Sequence, residues 1–379
     1  CMLIMLYVHR ETGYDKFNEH YERIYRLEGD NYGKLPGVVG LYVKERIPEV
    51  KNIARLAGGR KDFISYLPDE DPASVKHIEA TYFWADSSTF DVFTFQFIQG
   101  NPRTALNGPY TVVLTASTAQ KLFGDNNPMS KTIEFNDNQF MVTGIIKDVK
   151  HSHIEIDVLF SQESIPKVYS VEDTGWNPPL WSATYLLMTT PVDVPLVEKK
   201  INKVLSEINN GILFDIEFEY FQLRPLGNIY FHGVVQNLQY GLHGNLKLVQ
   251  ALFATGIFLL VLACINYINL TTARSSIRRR EIAIKRISGS SQSLLRYQLI
   301  IESLIVSLIA LVVAMTIVQI FMPTLDLMAF ADIASNDLNS PAVWAAILSA
   351  VALLGIMAGV YSAIYLTAAT PLDLMKGTS

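Results

Sequence analysis

The sequence is short of charge and of cysteine. Asp, Glu, Lys and Arg make up 18% of its 379 residues, against roughly a quarter in ordinary soluble domains. Two cysteines, Cys1 and Cys264, both within apolar runs, exclude a disulfide framework and a four-cysteine zinc site. A formal net charge of −5 with 50% hydrophobic residues excludes a disordered chain and one that coats nucleic acid. Catalytic motifs are missing too: there is no HExxH helix, nucleophile elbow or carboxylate pair. The nearest approach to a phosphate loop is Gly124 to Thr132 (GDNNPMSKT), one residue too long and with Ser130 where the second glycine belongs. His151 and His153 are placed to face one side of a strand as metal ligands. No further ligand stands at a matching spacing, and the plainer expectation is a solvated strand edge. The aromatic run Tyr82-Phe83-Trp84 reads as core packing. No catalytic, cofactor or metal residue is expected, and the chain is not expected to be an enzyme.

What the sequence does hold is localised hydrophobicity. Leu248–Ala273, Ser303–Met322 and Leu338–Leu372 contain no charged residue over 26, 20 and 35 positions. A bilayer core asks for about 20 such residues per helix. Three transmembrane helices are therefore expected, at about 248–273, 299–322 and 341–366. Residues 1–8 (CMLIMLYV) are apolar but too short to span. They are expected to be the C-terminal end of a truncated helix 1, so that the natural chain starts earlier; a lipidated Cys1 is the alternative.

Charge supplies the expected orientation. Arg274, Arg278, Arg279, Arg280, Lys285, Arg286 and Arg296, against Glu281 alone, lie between the first two complete helices; Asp326, Asp332 and Asp337 lie between the next two. Basic loops stay in the cytoplasm, which puts residues 9–247, with 23 basic and 30 acidic side chains, outside. That segment reads as α+β. Phe17, Tyr21, Ile24 and Tyr25 share a helical face, and Pro36 and Pro48 bracket a second helix. Tyr110–Leu114 is an expected strand, followed by a helix capped by Thr115 and closed by Gly124. Ile133–Phe135 and Phe140–Ile146 pair across Asn136-Asp137-Asn138. Thr184–Met188 is a buried strand, and Leu196 to Ile208 a helix.

Several short motifs now line up. Phe90-Asp91-Val92-Phe93, Gly100-Asn101-Pro102, Val112-Val113-Leu114-Thr115, Ala119-Gln120-Lys121-Leu122-Phe123-Gly124, Asn127-Pro128 and Val142-Thr143-Gly144-Ile145 resemble the periplasmic core domain of MacB-type ABC transporter permeases. Asn266-Tyr267-Ile268-Asn269-Leu270, Ala273-Arg274, Arg280-Glu281-Ile282-Ala283-Ile284-Lys285-Arg286, Gly289, Gln298, Glu302-Ser303, Ala358-Gly359-Val360-Tyr361 and Pro371 to Gly377 resemble an FtsX-like permease domain. Ser130 and Ala283 stand where the family favours glycine. The resemblance implies 9–247 as a MacB-like extracytoplasmic domain and 248–379 as an FtsX-like permease domain in a bacterial inner membrane. It implies a permease without chemistry of its own, working with a cytoplasmic ABC ATPase and a second permease half (a second repeat or a homodimer). A periplasmic adaptor or outer-membrane channel is a further partner it allows. The function implied is export or extrusion of an unnamed substrate. The alternative is a signalling protein of the same build, controlling an envelope partner such as a cell-wall hydrolase.

Residues 274–298 form the candidate coupling segment. At about 100° per residue, Ile277, Ala283, Ile284 and Ile287 cluster on one side of a helix. Arg278, Glu281, Lys285 and Arg286 take the other, with Ile282 projecting among them. Arg278, Arg279, Arg280, Glu281, Ile282, Lys285, Arg286 and Gly289 are the candidate ATPase contacts; anchorage on anionic lipid is the competing reading. Glu302, at the mouth of the next helix, is expected to pair with Arg274 or Arg296. Reporters fused after Lys376 or near Ser290 are expected to read cytoplasmic, and one near Asn336 external; the reverse pattern overturns the orientation.

Overall fold

The structure is a computed structural model and describes residues 2–30, 32–67, 75–169, 181–207, 218–233, 241–273, 281–282, 284–325 and 341–367. It divides into two units, Gly13–Asn245 and Cys1–Thr12 with Leu246–Ser379.

Among the described residues the first unit is built on an eleven-stranded mixed sheet. Its strands are β1 Ile24–Gly29, β2 Leu35–Pro36, β3 Val50–Tyr66, β4 Lys76–Ala85, β5 Phe97–Gly100, β6 Thr111–Thr115, β7 Thr132–Phe135, β8 Asn138–Ile146, β9 Val158–Ser161, β10 Trp181–Met188 and β11 Phe221–Pro225. The main path runs β11-β1-β10-β3-β4-β9-β6-β8-β5, with β2 beside β10 and β7 beside β3 and β8. Only the β4–β9 and β6–β8 pairs are parallel among those described.

Strand alternation sorts the core. Tyr82 and Trp84 point to one face and Phe83 and Ala85 to the other, because successive Cβ atoms alternate. Trp84, Leu114 and Phe160 join Leu122 and Phe123 of a helix Ala116–Phe123 in one cluster. Leu186 and Met188 meet Val39 and Val43 of the helix Gly37–Arg46, and Val197 and Ile201 of the helix Val194–Ser206, in a second. Phe83, Val113, Leu159, Tyr185 and Leu187 form a third with Leu226 and Ile229 of the helix Leu226–His232. Tyr82-Phe83-Trp84 is thus core, fully buried and split between two faces.

The expected Pro-bracketed helix, the strand before Thr115 and the hairpin are present. The hairpin turns on Asn136 and Asp137, both at positive φ (48° and 58°), as a two-residue connection demands. Two readings need correction, and a third holds in position only. Phe17 to Tyr25 is not a helix: after a short 3₁₀ turn, Ile24 and Tyr25 open β1, paired with β10 on one side and β11 on the other. Their apolar spacing served two faces of a central strand, which helical spacing mimics over a few residues. Thr115 stands at the helix N-cap but its hydroxyl donates to Thr118 Oγ1 (2.8 Å), while Asp148 Oδ1 accepts the Ser117 amide (3.0 Å). His151 and His153 lie in an irregular segment, and His153 is buried.

The second unit is helical. Its long described helices include Met2–Thr12, Leu246–Ala273, Gln292–Leu325 and Pro341–Thr367. Among the described residues three helices are long and apolar enough to cross a membrane, over Leu246–Leu270, Gln292–Ile320 and Val343–Tyr361. At 34 residues and about 1.5 Å each, Gln292–Leu325 is longer than the hydrocarbon layer and begins seven residues before the expected start. Leu6 of the first helix packs with Val343 and Ile347 of the last.

Ser130 holds φ 62° while its amide donates to the Val142 carbonyl at 2.9 Å. A left-handed conformation costs an L-residue about 1–2 kcal/mol. Ser130→Gly is expected to raise the first unit's stability by about 0.5–1 kcal/mol, after glycine's extra unfolded-state entropy. Urea unfolding checks it; a loss of stability would show that the serine side chain holds the turn.

Candidate functional site

The segment after Leu246–Ala273 is short, basic and helical over 281–282 and 284–287. Arg274, Arg278, Arg279 and Arg280 lie outside the described residues. Gly289 ends the helix at φ 94°, its amide donating to the Arg286 carbonyl (3.1 Å) and that of Ser290 to the Lys285 carbonyl (3.0 Å). Only glycine takes that conformation cheaply, and it closes the helix's free carbonyls. Ser291 then caps the following helix, its Oγ accepting the Leu294 amide at 3.3 Å.

The helix is turned differently from the expectation. Ile282 is buried among Leu295 and Leu299 of the following helix and Ala363 of the last. Ile284 and Ile287 are exposed, at 59% and 64%. Charge amphipathicity takes water as the only surrounding; at a membrane boundary an isoleucine need not turn inward, and Ile282 is the side chain whose position meets the gap between two long helices. Burying a residue of this size stabilises by about 1.5–3 kcal/mol, far more than the exposed Glu281–Lys285 pair (3.0 Å, i,i+4), for which about 0.3–0.5 kcal/mol is usual.

A pocket of about 160 Å³ opens beside Ile282, lined by Glu281, Lys285, Leu295, Gln298, Leu299 and Glu302. Lys285 Nζ reaches Gln298 Oε1 at 3.4 Å. Glu302 is half-buried at its rim, Arg286 half-buried, and Arg296 and Gly289 exposed. The geometry joins Glu281, Ile282, Lys285 and Glu302 in one place. Its polar groups offer ion pairing and hydrogen bonding. Among the described residues no group of three or more His, Cys, Asp or Glu is placed to hold a metal.

One contact left no mark on the sequence reading. Gly355 and Gly359 let the last helix press backbone to backbone on Gln292–Leu325. A Cβ at Gly359 would lie 2.9 Å from Ile300 Cα, and one at Gly355 3.2 Å from Leu304 Cα. Ser303, buried between them, donates to the Leu299 carbonyl (3.1 Å) and shares a 2.6 Å hydrogen bond with the Tyr267 hydroxyl of Leu246–Ala273. Lipid tails are as apolar as leucine, so membrane helices associate through such close packing and interhelical hydrogen bonds. The signal was there: two glycines four apart inside an apolar run.

The profile of the MacB-like periplasmic core domain matches residues 1–204, and that of the FtsX-like permease C-terminal region matches residues 253–371. A large extracytoplasmic α+β domain joined to apolar helices is the class these matches define, an ABC permease of MacB/FtsX type. With more than half of its length matched, the chain belongs to the MacB-like periplasmic core domain family. No curated protein matches it. Solved structures similar to it include a domain of a protein described as a permease from Porphyromonas gingivalis (20% identity, 55% of this chain and 92% of that one, TM-score 0.44). The periplasmic region of MacB from Actinobacillus actinomycetemcomitans is another (14%, 55% and 90%, 0.41). The extracellular domain of the noncanonic ABC-type transporter YknZ from Gram-positive bacteria is a third (14%, 53% and 98%, 0.39). The assignment rests on the family matches, not on these distant likenesses.

Gly359→Leu is expected to separate the last two helices, since its side chain would run into the Ile300 backbone and the Ser303 side chain. Overpacking of this kind costs about 1–3 kcal/mol, read as a lower thermal midpoint of the full chain in detergent. An unchanged midpoint would mean that the contact carries no stability.

Proposed function

We propose that this chain is the membrane subunit of an ABC-type exporter, transmitting the movements of a separate cytoplasmic ATPase to its extracytoplasmic domain. The observation that carries the reading is how the segment 281–289 is held. Ile282 roots it in two membrane helices, and the exposed Ile284 and Ile287 offer a partner an apolar face. A lever needs both a fixed end and a free face. Arg278, Arg279 and Arg280 are proposed as further contacts of that partner on sequence grounds, with anionic lipid as their competing surface. A second permease half, from a second repeat or a second copy, completes the machine, and ATP hydrolysis stays on the partner. Glu302 is proposed as a structural charge of the same pocket, paired with Arg274 or Arg296.

The regulatory reading, in which the domain controls an envelope partner such as a cell-wall hydrolase, draws on the FtsX-like match over residues 253–371. It differs in the partner retained on the outer side: an adaptor or outer-membrane channel for export, a hydrolase for regulation.

The test separates the root from the face. Ile284→Asp and the charge reversals Arg278→Glu and Lys285→Glu are expected to weaken capture of the cognate ATPase by about tenfold or more, because a desolvated charge at an interface finds no partner. Ile282→Ala removes packing worth about 2–5 kcal/mol. It is expected to keep capture and lose stimulation of ATP hydrolysis by the permease. Unchanged capture and hydrolysis in all four variants would leave the segment as a lipid anchor and overturn the coupling role.

A further inference from the structure

The first unit holds a buried polar cluster for which the coupling segment has no use. Asp15, Ser152, His153 and Tyr185 are all at most 7% exposed. Asp15 lies three residues beyond the helix Met2–Thr12, and residues 241–245 immediately precede the helix Leu246–Ala273. These are the two segments that carry the chain into and out of the unit. His153 touches both. Its amide donates to Asp15 Oδ1 at 3.2 Å, and its Nδ1 lies 2.8 Å from the same oxygen, close but out of line for a hydrogen bond. Its carbonyl accepts the Leu242 amide at 2.9 Å. Its Nε2 shares a 2.8 Å hydrogen bond with the hydroxyl of Tyr185, in the middle of β10.

The surroundings are shaped for these contacts. Asp15 sits at φ 61°, and its amide donates to the His151 carbonyl at 2.7 Å. Ser152 Oγ donates to Asp15 Oδ1 at 3.1 Å. Gly241 holds φ 107°, and a Cβ there would lie 2.8 Å from the His153 carbonyl oxygen; no other residue lets the outgoing segment come so near. Burial holds the Tyr185 phenol well above its ordinary pKa, so it stays a neutral hydroxyl. A second tie runs beside the first. Tyr14 stacks on Tyr230 at 3.7 Å, and the Tyr230 carbonyl accepts the Gly244 amide at 2.9 Å.

We propose that His153 is a positioning residue that locks the incoming segment at Asp15 and the outgoing segment at Leu242 onto β10, so that the two segments and the sheet move as one body. A buried, hydrogen-bonded cluster resists distortion because every broken bond leaves a desolvated polar group. The two covalent connections to the membrane helices would then act on the sheet together. That consequence rests on the transmitting role proposed above; the lock itself does not.

Hydrogen exchange on the full chain in lipid nanodiscs tests it. His153→Ala is expected to speed exchange about tenfold or more in both 13–18 and 241–245, leaving β3 and β4 unchanged, since local opening is read amide by amide. Asp15→Asn, which tolerates the left-handed backbone, keeps one acceptor oxygen and removes the charge and the other acceptor, is expected to loosen both segments to a smaller degree. Tyr185→Phe serves the same purpose should His153→Ala fail to fold. Loosening of one segment alone, or of neither, in the folded variants overturns the lock. With the ATPase bound, wild type is expected to show nucleotide-dependent exchange in β3–β4, and Asp15→Asn to lose it while still capturing the ATPase. Failure of the wild type to capture any ATPase would count against the coupling role and leave the exchange result on the lock standing.

Discussion

A hydrocarbon layer about 30 Å thick offers a polar group no hydrogen bond, and the helical unit is organised by that fact. It explains why charge vanishes over Leu248–Ala273, Ser303–Met322 and Leu338–Leu372, and why it returns as a basic cluster straight after the first of these. It also removes the hydrophobic effect as a force between helices. What remains is close packing and the few hydrogen bonds that a serine and a tyrosine can make. Gly355, Gly359, Ser303 and Tyr267 supply both within one short stretch. Ile282 then pins the segment that follows the first long helix to the other two.

The sheet unit obeys the opposite rule. There water is the solvent and apolar burial the dominant gain. A mixed sheet covered on both faces needs apolar side chains at successive positions of its central strands. Trp84 and Phe83, Leu114 and Val113, and Phe160 and Leu159 are such neighbours. The buried central strands of this sheet make their polar residues costly unless paired. Arg26 and Glu28 on β1, both buried, meet at 2.6 Å, and Arg224 reaches Glu28 at 3.0 Å. His153 and Asp15 follow the same rule of paired burial, at the segments leading to and from the sheet.

Much of this was legible in the sequence. Charge-free runs long enough to cross a bilayer rarely fit anywhere but a membrane. Asn136-Asp137 between alternating residues dictates a tight turn, Pro36 and Pro48 bound a helix, and family motifs in the right order identify the chain. The misreadings share a cause. Phe17 to Tyr25 has helical spacing, yet β10 and β11 were waiting on either side of the strand that Ile24 and Tyr25 open, and pairing partners more than a hundred residues away leave no local trace. His151 and His153 are separated like strand-edge ligands; only the approach of Asp15, Leu242 and Tyr185 made His153 a buried joint.

The sequence by itself determined the partition into apolar helices and a mixed α/β segment, the lengths that can cross a membrane and the family to which the chain belongs. Those properties depend on composition and periodicity along the chain, where transfer free energies add residue by residue. Which way the short basic helix turns, which glycines admit a neighbouring backbone and which histidine ties two distant segments were decided only in three dimensions. Each depends on a gap or a partner assembled from several elements, and a single side chain such as Ile282 or His153 reads the same in one dimension whether it faces solvent or fills that gap.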